Sequence, residues 1–429
     1  MLKKLPLCTI IALMLQTLTV SAQQYWLPVE TPTSKNLNKM AFLDSSRGWI
    51  AGDEGIILKT ENGGNRWTVL PAFLQTDFLD IQFLNHRLGW ALSIKNPSDS
   101  GGWFGTYLIK TTTGGLEWDA QSFDSIFFTA VFFLDSMNGW LGGSRGAILR
   151  TTNSGSSWFD VDDSASHRFE ISRIKFFNHS YGFAIGGAMD IAGIIWRTTD
   201  NGANWYSRFV CAEPLHGIHF FDSLHILCVG GDSDFGSGKV ETYDGGEHWE
   251  YTYFGIWGDA RALSFRNDAE GWAPLAFSGT IMYTLDSGQT WTDIFSPDTI
   301  PMYDVVFTDE RNGFMCGANG RVLKYKGKPN GIEEYSATQF EEKIVLQQNY
   351  PNPFNPTTAI RFTMREPRFT SLKIYNVLGG EVATLLENVL LQAGEYTIPY
   401  NAENLTAGIY FYHLAVNGFS ISKKLVVLK

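Results

Sequence analysis

The chain has 429 residues, with 33 Lys and Arg against 44 Asp and Glu, which gives a formal net charge of −11. This excess of acid argues against a protein that binds nucleic acid or an anionic membrane, because such binding needs a basic face. Hydrophobic residues make up 44% and charged residues 18%, so wholesale disorder is excluded. The 43 glycines and the 14% aromatic content favour many short strands joined by tight turns.

Residues 1–22 predict a secretory signal peptide. Two lysines at positions 3 and 4 precede an apolar run over residues 5–15, and Val20-Ser21-Ala22 offers small residues for cleavage before Gln23. The run is too short to span the roughly 30 Å of a bilayer core comfortably, which favours cleavage over a retained anchor. We expect no transmembrane segment in the mature chain.

The mature chain would keep three cysteines, Cys211, Cys228 and Cys316. They have neither the CxxC spacing of a redox motif nor the spacing of metal ligands. We therefore expect buried free thiols on strands, no metal site and no cofactor.

A phenylalanine recurs seven times at intervals of 41 to 50 residues, as Phe42, Phe83, Phe133, Phe176, Phe221, Phe265 and Phe307. The residues seven positions later are Trp49, Trp90, Trp140, Phe183, Cys228, Trp272 and Phe314. A glycine precedes this second residue in six units, and Leu227 stands in its place in unit five. A period of this length indicates a repeat architecture.

A second motif, of the form Thr-x-Asn/Asp/Thr-x-Gly-x-x-Trp, follows in six of the seven units. It ends in Trp67, Trp118, Trp158, Trp205, Trp249 and Trp291. Each of these precedes the next repeat phenylalanine by 15 to 18 residues, and Trp26 precedes Phe42 by 16. Unit seven lacks the motif, so we expect its last strand to come from the N-terminus, with Tyr25–Val29 pairing with Val322–Tyr325.

Each unit has room for four short strands, which in the first unit read Lys39–Leu43, Gly48–Ala51, Gly55–Thr60 and Arg66–Leu70. Four strands per unit at this period predict an all-β fold, a seven-bladed β-propeller. A coiled coil is excluded because no helical periodicity occurs.

The second motif resembles the Asp-box of bacterial neuraminidase repeats, Ser/Thr-x-Asp-x-Gly-x-x-Trp. Asp200, Asp244 and Asp286 match its acidic position. The remaining units carry Asn62, Thr113 and Asn153 there. We interpret the box as structural, because Asp or Asn accepts backbone N–H bonds within the turn and the tryptophan fills the space between blades.

Taken together, the two motifs resemble the photosystem II assembly and stability factor family of seven-bladed propellers. The resemblance covers Tyr25 to Lys326 and implies a propeller domain over residues 23–326 that is closed by the N-terminal strand. It is specific for the fold and weak for the function, because this repeat occurs in many secreted proteins that have no photosystem.

Residues 327–343, with Gly, Pro, Asn and four Glu, predict an exposed linker. Beyond it, residues 344–429 contain six or seven strand-like segments and suggest an immunoglobulin-like β-sandwich without a disulfide. The predicted strands are Ala359–Met364, Ser371–Val377, Glu381–Leu385, Gly394–Pro399, Gly408–Val416 and Ser420–Leu428.

The same region closely resembles the type A sorting domain of the type IX secretion system. Its entry motif is Asn352, Pro353, Phe354, Asn355 and Pro356, and Lys423-Lys424-Leu425-Val426-Val427 closes it in family order. The resemblance implies a two-membrane bacterium, export through the periplasm, the type IX machinery as a partner and a secreted or outer-membrane-surface location. Family members are often cleaved there and linked to surface lipopolysaccharide, and cleavage of this chain stays open.

The chain has no P-loop or HExxH motif. Sialidases on related propellers need an Arg-Ile-Pro motif, and Arg173-Ile174-Lys175 lacks the proline. We therefore expect a non-catalytic interaction or assembly module. A carbohydrate-active hydrolase, sialidase-like or another glycosidase, is the alternative, because the separation of two carboxylates cannot be read from a sequence.

Length variation among the units falls between the second and third strands and in the inter-blade connectors, which should share one rim. We expect an unknown protein or glycan ligand there, since recognition usually resides in loops on a rigid scaffold. The alternative is that the aromatic rings pack locally onto the rim. The candidate binding residues are Trp103, Phe104, Arg145, Arg173, Phe235, Trp257 and Arg261.

Overall fold

The computed structural model describes residues 25–96, 104–161, 167–232, 234–327, 344–364, 368–376, 381–416 and 419–429. Within these ranges the regular structure is β-strand, and the helical elements are 3-10 turns of three residues, so the predicted all-β class is confirmed. These turns are Asp53–Gly55, Ser144–Gly146, Ala276–Ser278, Pro297–Thr299 and Ala318–Gly320.

Between Trp26 and Tyr325 the described residues form seven four-stranded antiparallel sheets. Their strands, in order from the first to the fourth, are as follows: sheet one, Leu37–Phe42, Gly48–Gly52, Ile57–Thr60 and Thr68–Val69; sheet two, Phe78–Phe83, Gly89–Lys95, Gly105–Thr111 and Asp119–Asp124; sheet three, Phe128–Phe133, Gly139–Gly143, Ile148–Thr151 and Phe159–Asp160; sheet four, Glu170–Phe176, Gly182–Ala188, Ala192–Thr198 and Tyr206–Cys211; sheet five, Leu215–Phe220, Ile226–Asp232, Gly236–Thr242 and Glu250–Ile256; sheet six, Ser264–Phe265, Gly271–Pro274, Thr280–Thr284 and Thr292–Phe295; sheet seven, Met302–Phe307, Gly313–Gly317, Val322–Tyr325 and Trp26–Val29.

Burial changes across each sheet. The second strands are the most buried, and Gly48–Gly52 and Gly139–Gly143 are buried at every residue, because neighbouring sheets cover both of their faces. The fourth strands have more exposed residues, and Thr68–Val69 is exposed throughout. First strands contact one another from sheet to sheet, and the first strand of sheet seven contacts that of sheet one. Sheets arranged in this way around a central channel have the architecture of a β-propeller.

The N-terminal strand completes sheet seven. Trp26 lies opposite Tyr325 and Val29 opposite Val322, in antiparallel register. This is the pairing that the 16-residue spacing of Trp26 and Phe42 predicts. The Trp26 ring is fully buried and lies 5.6 Å from the Phe307 ring, at an angle of 62°.

In unit five the repeat is displaced by one residue from the predicted positions. Phe220, rather than Phe221, pairs with the start of the second strand at Ile226, and Ile226 pairs with Thr242. Phe42, Gly48 and Thr60 form the corresponding pairs in sheet one. Leu227, not Cys228, therefore occupies the position of the repeat aromatic in this sheet. The side chain of Leu227 packs with Phe265 and Trp291 of sheet six.

Aromatic rings interlock each sheet with the next. Trp49 of sheet one stacks on Phe83 of sheet two, with ring centroids 3.7 Å apart and planes at 7°. The Phe83 ring in turn meets Trp118 edge-on at 6.2 Å. Equivalent stacks join Trp90 to Phe133, Trp140 to Phe176 and Phe314 to Phe42. The Phe314–Phe42 stack joins sheet seven to sheet one.

The glycine of the first motif makes room for this stack. A Cβ atom on Gly48 would lie 2.5 Å from the Phe42 ring, and one on Gly89 would lie 2.5 Å from the Phe83 ring. Any larger residue would push the phenylalanine out of place, because real Cβ contacts do not reach this distance. The glycine and the aromatic residue that follows it therefore act together in packing. The glycine lies beneath the phenylalanine of its own sheet, and the aromatic ring contacts the phenylalanine of the next sheet.

The three cysteines of the mature chain are buried free thiols. Burial raises the pKa of Cys211 to about 11 and that of Cys228 and Cys316 well above the usual value. Thiols in this state are poor nucleophiles.

The described residues from Ile344 onward form two sheets around one hydrophobic core. Phe354, Ile360, Leu372, Tyr412 and Leu425 belong to that core. The three-stranded sheet contains Ile344–Leu346, Thr357–Met364 and Gly394–Asn401, and the four-stranded sheet contains Glu381–Leu391, Arg368–Asn376, Gly408–Val416 and Phe419–Val427.

We expect Trp26→Ala to lower the free energy of unfolding by about 3–5 kcal/mol, because it leaves a cavity between sheets six and seven. Urea unfolding of the mature chain measures this change. Leu27→Ala in the same strand is the matched control and should cost little, since Leu27 is exposed. A Trp26 variant as stable as the Leu27 variant would contradict an anchoring role of the N-terminal strand.

Candidate functional site

The turns between strands divide the propeller surface into two rims. The box rim combines the turns between first and second strands with the Asp-box turns. Gly63 N–H, for example, donates to the Ser46 carbonyl at 2.8 Å. The same backbone bond recurs from Gly114 to Arg87, Ser154 to Met137, Asn201 to Ser180, Gly245 to Leu224 and Ser287 to Ala269. This rim repeats the same local geometry from sheet to sheet.

The loop rim combines the hairpins between second and third strands with the connectors between sheets. Asp53 N–H donates to the Asn36 carbonyl at 3.0 Å, and Ser144 N–H donates to that of Phe127 at 2.7 Å. Ala318 N–H donates to the Pro301 carbonyl at 2.9 Å. Hairpin and connector lengths differ between sheets here, so this rim carries the individual features of the molecule.

The Asp-box turns use their polar atoms internally. Thr284 Oγ1 accepts a bond from Gly288 N–H at 2.9 Å and donates to Asp286 Oδ1 at 2.7 Å. Asp286 Oδ1 also accepts from Thr290 N–H. Asp200 and Asp244 accept the equivalent bonds from Asn204 and His248, and Asn62 and Asn153 accept those from Arg66 and Ser157. These oxygens hold the turn together and are not free to meet a ligand.

Cations recur in phase just before the boxes and lie over the interlocking rings. Lys59 Nζ is 5.6 Å from the Trp49 centroid, and Lys324 Nζ is 5.9 Å from that of Phe314. Lys324 Nζ also donates to the Gly63 carbonyl of sheet one at 2.7 Å. These basic residues stabilise sheet-to-sheet contacts rather than forming a binding cluster.

The central channel carries a chain of polar contacts near the loop rim. Six of the seven first strands have a bulge close to their start, where the strand leaves the connector. Arg173 in sheet four donates through Nε to the His216 carbonyl at 3.1 Å, and its Nη2 lies 3.6 Å from Asp304 Oδ1 of sheet seven. His216 Nε2 lies 3.4 Å from Asp259 Oδ1, and Arg261 Nε lies 2.6 Å from Asp259 Oδ2.

Burial controls the protonation of these channel groups. It lowers the pKa of His216 to about 4, although the nearby Asp259 carboxylate acts in the opposite direction. Burial also lowers the pKa of Lys39 and raises that of Asp80. Arg173 Nη2, Asp259 Oδ1 and Asp304 Oδ1 have no hydrogen-bond partner in the described part of the chain. At neutral pH His216 is therefore neutral, and the three atoms are buried and face the neighbours given above, Arg173 Nη2 with Asp304 Oδ1 and Asp259 Oδ1 with His216 Nε2.

The predicted binding residues fall into two groups. Phe104 and Arg145 are exposed on the loop rim of sheets two and three, and Arg145 has a left-handed φ of 61°. Phe235, Trp257 and Arg261 are on the loop rim at sheets five and six. Arg173 forms part of the channel wall instead, and Trp103 lies outside the described residues.

The second group belongs to an aromatic patch, which we define as Phe235, Trp257, Arg261 and Phe277. Its backbone segments adjoin, because Ser237 Oγ donates to the Gly258 carbonyl and Gly258 packs against the hairpin at Leu275. The Arg261 guanidinium lies 5.1 Å above the Phe277 ring. Phe235, Trp257 and Phe277 are 41%, 42% and 63% exposed.

The sequence analysis missed Phe277 and an acidic cluster of Asp190, Glu213 and Asp232. Phe277 lies in a short hairpin, so the loop length that singled out other aromatics gives no signal there. Asp190 and Asp232 are in hairpins that the sequence does show to be long. Their approach to Glu213 depends on the packing of sheet four against sheet five.

The sorting motif is built into the C-terminal core. Phe354 is buried, its N–H donates to the Val426 carbonyl at 3.0 Å, and its own carbonyl accepts from Leu428 N–H at 2.8 Å. Asn352 Oδ1 accepts from Val426 N–H at 2.8 Å. The start of this unit is therefore fastened to its last strand.

Among the described residues, no helix has the length and apolar character needed to cross a membrane. Two family models match the chain. The model for the secretion system C-terminal sorting domain matches residues 348–428. The model for photosynthesis system II assembly factor YCF48 matches residues 18–118 and 256–326.

Relatives of the propeller have low sequence identity but match most of its length. The photosystem II assembly lipoprotein Ycf48 of Synechococcus sp. strain CC9902 is 22% identical over 323 residues, covering 70% of this chain and 88% of that protein. Among solved structures, YCF48 bound to D1 peptide superposes with a TM-score of 0.55 at 20% identity, covering 70% of this chain and 97% of that chain. The GH74 xyloglucanase from Xanthomonas campestris reaches 0.53 at 12% identity, covering 78% and 59%.

At these identities the structural matches show the fold alone. The assembly-factor model and the relatives nevertheless agree with the architecture of the propeller, and the sorting-domain model matches the C-terminal part, which indicates export to the cell surface. The chain therefore combines a β-propeller similar to photosystem II assembly factors with a C-terminal sorting domain of the type IX secretion system.

Proposed function

We propose that the protein is a surface-delivered, non-catalytic propeller that binds a protein partner at the aromatic patch. The observation that carries this proposal is the patch itself, with three exposed rings and Arg261 beside the polar channel mouth. Aromatic residues and arginine contribute most of the binding free energy at protein interfaces. The box rim supports the choice of face, because its polar atoms are engaged in repeated turns.

A protein partner is favoured over a glycan by two considerations. One relative of known structure is described as bound to a peptide, and it shares the propeller architecture. The half-exposed Arg261 guanidinium also presents N–H donors next to the rings, which suit the C=O groups of a peptide. An extended partner segment would thus contact the rings and Arg261 together.

The alternative function is a glycosidase. It needs two carboxyl groups about 5–9.5 Å apart that reach the sugar. In the channel, Asp80 and Asp304 are bonded to backbone N–H groups, and Asp259 is bonded to Arg261. On the loop rim, oxygens of Glu213 and Asp232 lie within 4.8 Å of each other, but Asp232 is fully buried and cannot contact a substrate. The geometry therefore favours binding over hydrolysis.

We further propose that the seven sheets are seven blades of a closed propeller over residues 23–326, after removal of residues 1–22. Residues 327–343 would link it to an immunoglobulin-like sandwich over residues 344–429 that the type IX machinery reads. The two sheets of that unit and the buried Phe354 support this interpretation. The surface protein would then present its propeller to the medium or to neighbouring surface proteins.

Replacing Trp257 or Phe277 with a photo-crosslinking residue should capture a protein at the cell surface. The identified partner should bind the Trp257→Ala and Phe277→Ala variants at least tenfold more weakly, a loss of about 1.4 kcal/mol or more. Leu116→Ala is the control, since Leu116 is exposed on the box rim. Full binding by both patch variants, or turnover of a polysaccharide by the purified protein, would contradict the proposal.

Truncation after Lys326 should leave a folded propeller in the periplasm, because the proposed export signal is lost. Cell fractionation and protease accessibility on intact cells measure the location, and circular dichroism of the purified truncated chain checks its fold. Surface delivery of the truncated chain at the level of the full chain would show that residues 327–429 do not direct export.

A further inference from the structure

Three carboxylates meet on the loop rim where sheet four adjoins sheet five. Asp190 lies in the hairpin that follows Gly182–Ala188, Glu213 in the connector between the two sheets, and Asp232 at the end of Ile226–Asp232. One oxygen of each side chain lies within 4.8 Å of one oxygen of the other two. Three separate segments of backbone therefore place negative charge at one point.

The buried member of this cluster has an oxygen without a partner. Asp232 is 0% exposed, and its Oδ1 accepts bonds from the N–H groups of Asp234 and Phe235 at 2.8 and 2.5 Å. Its Oδ2 is buried and has no hydrogen-bond partner in the described part of the chain. A buried carboxylate oxygen left in this state is strongly unfavourable unless a cation or a proton meets it.

Among the described residues, the cluster also has no basic partner. Glu213 is 8% exposed, and the only hydrogen bond that its carboxylate accepts from a described residue is a long one, 3.4 Å, from Asp190 N–H. None of the ion pairs between described residues involves Asp190, Glu213 or Asp232. The uncompensated negative charge of the cluster thus favours the binding of a cation.

We propose that Asp190, Glu213 and Asp232 bind a divalent cation, and that the cation is Ca²⁺. Ca²⁺ takes oxygen ligands at about 2.3–2.6 Å in flexible geometry, and oxygens around one such ion are separated by distances of the kind seen here. Carboxylate donors without nitrogen or sulfur select hard cations of this class. Extracellular modules bind Ca²⁺ with Kd values on the order of 10⁻⁴–10⁻³ M, which suits a surface protein.

This site goes beyond the proposed function, because it needs no partner protein. The bound ion would join the hairpin of sheet five to sheet four, with Asp232 as the link. Phe235 of the aromatic patch donates its N–H to the same carboxylate, so the ion would also fix one edge of the patch.

The test uses Ca²⁺ itself and the full mature chain after treatment with EDTA and removal of the chelator. Isothermal titration should show one site per chain with a Kd of about 10⁻⁴–10⁻³ M. Saturating Ca²⁺ should raise Tm by roughly 5 °C, since an ion that binds the folded state stabilises it. Absence of binding at 10 mM Ca²⁺, taken as about ten times the weakest expected Kd, would overturn the proposal.

Variants separate this site from general ionic effects. Asp232→Asn and Asp190→Asn should each lose the Ca²⁺-dependent rise in Tm, whereas Asp119→Asn, at an exposed carboxylate in sheet two, should keep it. The readout is the increment with Ca²⁺ and not Tm itself, because neutralising one of three clustered carboxylates can stabilise the metal-free chain. Asp190 is exposed, so its variant keeps the test decisive if Asp232→Asn does not fold. Retention of the full increment in the Asp190 variant would contradict the assignment.

Discussion

The stack between an aromatic ring of one sheet and a phenylalanine of the next is the contact on which the rest of the propeller depends. Trp49 on Phe83 and Trp90 on Phe133 lie at 3.7 and 3.6 Å with nearly parallel planes. The stack fixes the glycine beneath the phenylalanine, the tryptophan of the box at the edge of the phenylalanine, and the cation over the other ring of the stack. Because each ring belongs to a different sheet, no sheet can bury its faces alone. The N-terminal strand follows from the same requirement, since Trp26 supplies the edge contact that unit seven lacks.

This packing also separates scaffold from surface. The motifs that form the aromatic stacks end in the turns of the box rim, so the sequence of that rim has little freedom to vary. The loop rim has no part in the stacks, and its hairpins differ in length, in exposed aromatics and in charge. The aromatic patch, the polar channel mouth and the acidic cluster all lie on or near this rim. Recognition is therefore expected where the interlock imposes the fewest constraints.

The sequence predicts much of the fold, because the residues that form the aromatic stacks recur at a regular interval. The all-β class, the positions of the box turns and the pairing of the two ends follow from the recurring phenylalanine and tryptophan. Unit five shows the limit, since Phe220 and Phe221 are adjacent and only the pairing with Ile226 decides between them. A displacement of one residue exchanges the two faces of a strand, so Cys228 and Leu227 exchange roles.

The candidate sites were less accessible from the sequence. Arg173, His216, Asp259 and Asp304 come together from different sheets, and each occurs once without a period. Phe277 is in a hairpin of ordinary length, and Glu213 is in a connector with no motif. Their proximity results from closing the ring, which places the starts of all first strands around one channel. Long loops and exposed aromatics could still identify the correct rim, though not the residues that adjoin on it.

Native-state hydrogen exchange tests the central claim that an interlocked ring, closed by its N-terminal strand, supports a variable rim. The account predicts that amides bonded between Trp26–Val29 and Val322–Tyr325 exchange only through global unfolding, as slowly as those of the buried strand Gly139–Gly143. Hairpin amides of the loop rim, such as those near Phe277, should exchange through local opening. Fast exchange of the N-terminal strand, with the rest of the propeller still protected, would contradict the account.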